Sequence, residues 1–164
     1  MNDKRLDRLH SEKEIERYTG IGNVRRNLHS DQESQHIMNP YNEVGGLMAE
    51  FHVGELLGQE VDLSERKHGD HGKDFLIVIN GREYKVDPKA NLSKRNPDLL
   101  LVRKRVWHPD TIYIHVNCDV PSRRSVIRGW RWGKDLEFLG RWPTTVINYG
   151  CRACAIRDMK ELPI

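Results

Sequence analysis

An Asn-Gly pair at residues 80 and 81 separates two short apolar runs in the stretch GKDFLIVINGREYKVDPKA, residues 72–90. Asp74 stands at the far end of one run, Asp87 and Lys89 at the far end of the other. Asn-Gly between alternating strands signals a type I′ hairpin, because both central residues need positive φ. With Asn80 and Gly81 as the loop, Ile79 faces Arg82 and, counting outward, Asp74 faces Asp87. Facing residues share a side of the sheet, with Cβ atoms about 4.5–5.5 Å apart. Strand side chains alternate, so Lys89 shares the side of Asp87. Like charges placed opposite one another destabilise a sheet. A divalent cation removes the conflict: Mg²⁺ takes oxygen ligands, often one or two carboxylates together with phosphate oxygens. Two acids and a lysine on one sheet face therefore suit metal-assisted phosphodiester hydrolysis. The bland reading is a pair of acids on a solvated strand end; the fixed register and the neighbouring lysine weigh against it. Pro88 has no N–H to give a ladder, so this strand end is expected at an edge, a bulge or the point where pairing stops.

The elements that must position these residues follow from patterning. Residues 1–40 are polar and read as an N-terminal helix and arm, separate from a domain over residues 41–164. Ser11-Glu12-Lys13-Glu14 has the form of a capping box, so a short surface helix is expected to about Tyr18, with a loop over 19–40. From Glu43 to Leu57, Leu47, Phe51 and Leu57 with their apolar neighbours give a helical stripe that stops at Gly58. Strands are expected over Asp74–Ile79, Arg82–Lys89, Asp98–Val106, Thr111–Asn117 and Ser125–Trp130, and short helices over Gly133–Leu139 and Arg157–Leu162. This order gives an α/β or α+β single domain with one central sheet.

Composition bounds the rest. A chain of 164 residues holds one domain with a real core. With 37% hydrophobic and 31% charged residues, its surface is densely charged. A net charge of +3 leans mildly toward an anionic partner and does not by itself mark a nucleic-acid binder. No apolar run approaches the roughly 18 residues of a membrane helix, and MNDKRLDRLH has no apolar leader region, so secretion is not expected. Three cysteines fit a reduced, cytoplasmic protein better than a disulfide scaffold.

The spacing Asp74…Asp87-Pro88-Lys89 resembles the PD-(D/E)XK nuclease motif. GGLMAEFHVGELLG resembles the helix that precedes the motif in that superfamily, with Glu50 at the position where a glutamate often joins the metal site. TIYIHVNCDVPSRRSVIRGWRWGKDLEFLGR resembles the later strand ending in Gly-Trp with its short helix, and RDMKELPI the helical ending common in small phage and bacterial members. The likeness runs from about residue 42 to the C-terminus. Two departures stand out: proline between Asp87 and Lys89, where an apolar residue is usual, and Asp87 where many members carry Glu. The resemblance implies a restriction-endonuclease-like fold, a central mixed β-sheet flanked by helices, and a Mg²⁺-dependent DNase for which Mn²⁺ can substitute. Asp74 and Asp87 would be metal ligands, and Glu50 a further ligand or one acting through water. Lys89 would orient the attacking water and offset transition-state charge. DNA is the implied partner, and a homodimer suits the cutting of both strands of a duplex. Two other readings stay open: a nuclease-like fold that binds DNA or a protein without cutting, and a structure-specific RNA nuclease.

Other residues carry weaker signals. Glu55 lies five positions from Glu50, about 140° away around a helix, and reads as a surface charge. His68 and His71 bracket Gly69-Asp70; they read as surface residues or phosphate contacts before a zinc site, with His71 close enough in sequence to reach substrate. Cys151-Arg-Ala-Cys154 is one CxxC without a second pair, whereas structural zinc needs four ligands. Arg103-Lys104-Arg105, Arg123-Arg124, Arg128 and Arg131 could track a phosphate backbone or simply form a solvated face. Lys94 and Arg95, directly after the motif strand, are the preferred substrate contacts. Of the four tryptophans, Trp130 is expected in the core.

Overall fold

The hairpin forms as its turn residues dictate. In the computed structural model, which describes residues 6–28, 41–63, 75–141, 147–151 and 157–163, Asn80 and Gly81 both have positive φ, 50° and 77°. Strands β2 (Phe75–Ile79) and β3 (Arg82–Asn91) flank them, with Ile79 opposite Arg82, Ile77 opposite Tyr84 and Phe75 opposite Val86. Beyond Phe75 the expected facing of Asp74 and Asp87 lies outside the described residues. β3 continues past its partner and pairs on its other side, in parallel, with β5 (Thr111–Asp119), from Lys85↔Thr111 to Asn91↔Asn117. β5 pairs antiparallel with β6 (Arg124–Trp132), with an irregularity between His115 and Val116. A short strand β1 (Asp7–Leu9) completes the sheet against β6, giving the order β1-β6-β5-β3-β2.

Alternation divides this sheet into two unlike faces. Phe75, Ile77, Val86, Ile112, Ile114, Val116, Ile127 and Trp130 form one face of the main core. Helix α2 (Tyr41–Leu57) covers it with Val44, Leu47, Met48, Ala49 and Val53. Gly54 lets α2 come close to the hairpin, since a Cβ there would sit 2.8 Å from the Gln59 carbonyl and 3.2 Å from the Phe75 ring. Helix α1 (Glu12–Leu28) packs against α2, with Tyr18 buried and its ring stacked on Phe51 at 4.8 Å. The other face carries Tyr113, which joins Leu100, Val102, Leu136 and Cys151 in a second, smaller cluster. Those residues belong to or adjoin a separate three-stranded sheet, β4 (Leu100–Arg103), β8 (Asn148–Cys151) and β7 (Glu137–Gly140) in that order.

The molecule is thus a mixed α/β fold, but several expectations need correction. There are two sheets among the described residues, not one. The span Asp98–Val106 holds a strand only over Leu100–Arg103, followed by a 3₁₀ turn at Lys104–Val106. The expected helix at Gly133–Leu139 is a single 3₁₀ turn, Gly133–Asp135, leading into β7, and the last expected helix is a 3₁₀ turn at Met159–Glu161. The capping box at Ser11 forms as read, the Ser11 N–H donating to Glu14 Oε2 at 2.7 Å and the Glu14 N–H to Ser11 Oγ at 3.3 Å. The helix it starts does not end at Tyr18 but runs to Leu28, with Ile15, Tyr18 and Ile21 resting on the core. Residues 6–28 are therefore not an arm before the domain; they supply a sheet edge and part of the core. No described helix is long and apolar enough to cross a membrane.

Pro88 explains itself in this topology. In a two-residue hairpin the residues flanking the loop exchange hydrogen bonds, and bonding direction alternates along the strand. Even-numbered β3 residues from Arg82 onward then turn their amide groups toward β2, odd-numbered ones toward β5. Pro88 lies beyond Val86, where the described β2 ladder has ended. Its missing N–H thus faces away from β5, and the parallel ladder to β5 loses nothing.

Candidate active site

β3 places Asp87 and Lys89 on the face turned away from α2, beside Tyr113 and His115 of β5. Asp87 is only 2% exposed. Its Oδ2 lies 2.7 Å from Lys89 Nζ, and the lysine side chain keeps 27% of its surface exposed. A buried carboxylate is costly unless paired, and here the neighbour two residues on supplies the pairing. The ammonium also lies 5.9 Å from the centre of the Tyr113 ring. Tyr113 accepts the His108 backbone N–H at 2.9 Å. Burial pushes its phenol up to about 12, with the charge of Asp87 adding to the rise. One edge of the site is thus a buried anion, a half-solvated cation leaning toward solvent, and a neutral aromatic wall.

His115 stands directly across from Lys89 in the parallel ladder and is fully buried. Its Nε2 lies 2.8 Å from the Pro97 carbonyl, which can only accept, so Nε2 carries the proton and donates. Nδ1 is left as an acceptor and has no hydrogen-bond partner among the described residues. Burial holds this imidazole below its usual value, against the pull of the Pro97 carbonyl and Asp98. Arg131, paired with Tyr113 on the next strand, likewise has a buried Nε without a partner among the described residues. Sequence reasoning did not single out His115. The available signal was the alternation of TIYIHV, which puts His115 on the same side as Tyr113, but the parallel partner of that strand cannot be read from local sequence.

The other expected site residues separate. Glu50 lies on α2, against the opposite face of the sheet, where its carboxylate meets Arg25 of α1 at 3.3 Å. Glu55 pairs with Arg8 at 2.9 Å and is mostly exposed, as a surface charge should be. Lys94 and Arg95 are exposed in the turn after β3. Asp74, His68 and His71 lie outside the described residues, as do Cys154 and Trp142. Among the described residues no group of three or more His, Cys, Asp or Glu side chains converges as a metal site. Asp87 supplies a buried carboxylate next to Lys89, within the one or two that Mg²⁺ takes from protein. Cys118 and Cys151 are buried, free thiols, and burial alone pushes Cys118 up to about 12.

Three members of the basic set are paired with acids. Arg123 pairs with Glu12 at 2.9 Å, Arg124 with Asp7, and Arg128 with Asp98 at 3.8 Å. Trp130 is in the core as expected, its indole N–H donating to the Asp158 carbonyl at 3.0 Å. Trp107 stacks on Tyr149 at 4.6 Å. A cleft of about 510 Å³ lined by Asp7, Arg8, His52 and Glu55 includes none of the Asp87 cluster, and its charges pair with one another or with neighbours. No family model, curated protein or solved structure matches this chain.

Proposed function

We propose that the protein is a metal-dependent endonuclease hydrolysing DNA phosphodiester bonds on the Asp87–Lys89 face of a restriction-endonuclease-like sheet. The observation that carries this reading is the buried Asp87 held against Lys89 on a sheet face, two residues apart in the DxK spacing. The order of α2, the β2–β3 hairpin and a later strand parallel to β3 supports the fold assignment. Mg²⁺ would be held by Asp87 and, from the sequence, Asp74, and would supply an activated water and charge neutralisation at phosphate. Lys89 offers its ammonium to a phosphate oxygen as negative charge grows there. The water oxygen would form the new bond to phosphorus as the ester bond to the leaving oxygen breaks, the water proton passing to solvent and the leaving oxygen taking a proton from solvent. Reduced cysteines suit a cytoplasmic enzyme, and two sites in a homodimer would serve both strands.

A second reading rests on the same contact. Lys89 Nζ occupies an oxygen of Asp87 that a cation would take, which favours a nuclease-like module that binds nucleic acid without cutting. One assay separates them. Purified protein meets circular, linear, single-stranded and branched DNA, and RNA, with Mg²⁺, Mn²⁺ or EDTA, beside Lys89→Ala. Metal-dependent DNA cutting lost in the variant supports the enzyme. Tight binding with no cutting of any substrate supports the module, and cutting of RNA alone moves the substrate class.

A further inference from the structure

We infer that Asn91 and His115 are positioning residues that hold residues 92–99 as a preformed loop, presenting Lys94 and Arg95 to the phosphate backbone of a nucleic acid beside Lys89. The inference deepens the proposed function and rests on it for the identity of the polyanion. Asn91 ends β3 two residues after Lys89, and so on the same sheet face. Its amide Nδ2 donates to the carbonyls of Asn96 and Leu99, both at 2.8 Å. Its Oδ1 accepts the Ser93 N–H at 2.7 Å, the side-chain turn that lets an asparagine reverse the chain. Ser93 Oγ accepts the Asn96 N–H at 3.1 Å, closing the loop on itself. Asn117, across the ladder from Asn91, donates to the Asn91 carbonyl at 3.1 Å. His115 Nε2 meets the Pro97 carbonyl at 2.8 Å, which Asn91 Nδ2 also reaches at 3.4 Å.

Three of the loop's backbone carbonyls, those of Asn96, Pro97 and Leu99, are thus met by side chains rooted in two adjacent strands. This leaves the outward side chains to do the binding. Lys94 and Arg95 are exposed and enter no ion pair among the described residues, unlike Arg123, Arg124 and Arg128, whose charges are met by acids. A loop already fixed in shape loses little entropy when it binds, so its cations deliver more of their attraction as affinity.

The test measures binding apart from cutting. Affinity for a short fluorescein-labelled DNA duplex is measured in Ca²⁺ across a salt series, and turnover is measured separately at saturating DNA in Mg²⁺. Lys94→Ala with Arg95→Ala is expected to weaken binding about tenfold or more and to lower the salt dependence by ~1–2 released counterions. Asn91→Ala is expected to weaken binding and flatten the salt dependence in the same sense, with turnover at saturation within about twofold of wild type. His115→Gln places an amide donor near the Nε2 position and is expected to bind like wild type. His115→Asn, too short to reach Pro97, is expected to bind like Asn91→Ala. The Lys94/Arg95 variant alters only exposed side chains, so it remains decisive if an interior variant fails to fold. Wild-type affinity and salt dependence in that variant, or in both Asn91→Ala and His115→Asn, would overturn the inference. Binding that follows the expected pattern in a protein that never cuts would sustain the loop and defeat the nuclease. Failure of the wild type to bind any nucleic acid would defeat both.

Discussion

A carboxylate as buried as that of Asp87 depends on its neighbours for its charge to be tolerated. Lys89→Met keeps the length of the side chain but removes the charge. It is expected to cost about 3 kcal/mol at neutral pH, because the anion is left without its ammonium. That deficit should shrink in acid, where protonation neutralises Asp87, and urea melts at neutral and acidic pH would show whether it does. A deficit independent of pH would mean that packing, not charge, is what Lys89 contributes. His10 works by the opposite logic. It is fully buried, with Nε2 2.7 Å from Ser125 Oγ and Nδ1 3.3 Å from the Tyr18 hydroxyl, while Ser125 Oγ also meets His52 Nδ1 at 2.8 Å. Burial first, and Arg8 and His52 after it, push its imidazole down to about 4, with Glu14 pulling the other way. Above about 6.5 both folded and unfolded forms are neutral there and the contribution is fully present. Between 6.5 and 4 the unfolded chain binds a proton that the native one refuses. Stability should therefore fall as the pH drops through that window. A His10→Gln variant should show a flatter slope over the same range, and an unchanged slope would place the titration elsewhere. What was legible at this scale follows the strand period: Asp87 and Lys89 share a face because they are two residues apart. His115 beside Lys89, and Arg25 on Glu50, were illegible because they depend on contacts between distant segments.

The elements were legible in proportion to how local their causes are. Asn80-Gly81 dictates its own turn and register, and Ser11…Glu14 dictates its own helix start, so both were readable. The extent of α1 past Tyr18 was not, because it goes with contacts to the core, Ile21 among them, that no local signal announces. Strands β1, β7 and β8 were missed for the same reason: each is three or four residues long and exists only because a partner strand fixes it. One element-scale device was equally unreadable. Among the described residues β2 is a sheet edge, with Leu76 47% and Val78 62% exposed. The side-chain amide of Gln59 donates to the Leu76 carbonyl and accepts the Leu76 N–H at 3.3 Å, taking the place of one rung of a missing neighbour strand. An open apolar edge is a template for pairing with another chain. Gln59→Ala is expected to lose about 1–2 kcal/mol in a thermal melt and to self-associate more strongly in sedimentation at raised concentration. A variant that stays as monodisperse as wild type would show that the rung does not guard this edge.

At the scale of the whole molecule the question is whether residues 6–28 are an appendage or a structural member. Polarity argues for an appendage, since the segment is largely charged and its helix is only weakly amphipathic. Three connections argue otherwise. β1 extends the large sheet, Asp7 standing opposite Val126 and Leu9 opposite Arg124. His10 and Tyr18 are buried together against Ser125, His52 and Phe51, which belong to the sheet and to α2. Arg25 meets Glu50 at the far end of the same helix pair. Removing the segment would uncover the Phe51 ring, strip Ser125 of one of its two imidazoles and leave a part-buried Glu50 carboxylate without Arg25. Each of these losses is of order 1–3 kcal/mol, against a total stability of roughly 5–15 kcal/mol for a domain this size. A chain beginning at Tyr41 is therefore expected to lose its cooperative melt or to unfold far below the full chain, although it keeps Asp87, Lys89 and the whole span of the nuclease resemblance. Melts and limited proteolysis of the two chains side by side decide it. If the shorter chain melts with the full one, the sequence reading of residues 1–40 as a separate arm holds. If it unfolds, the Asp87–Lys89 face is built on a scaffold that reaches back to the first described strand.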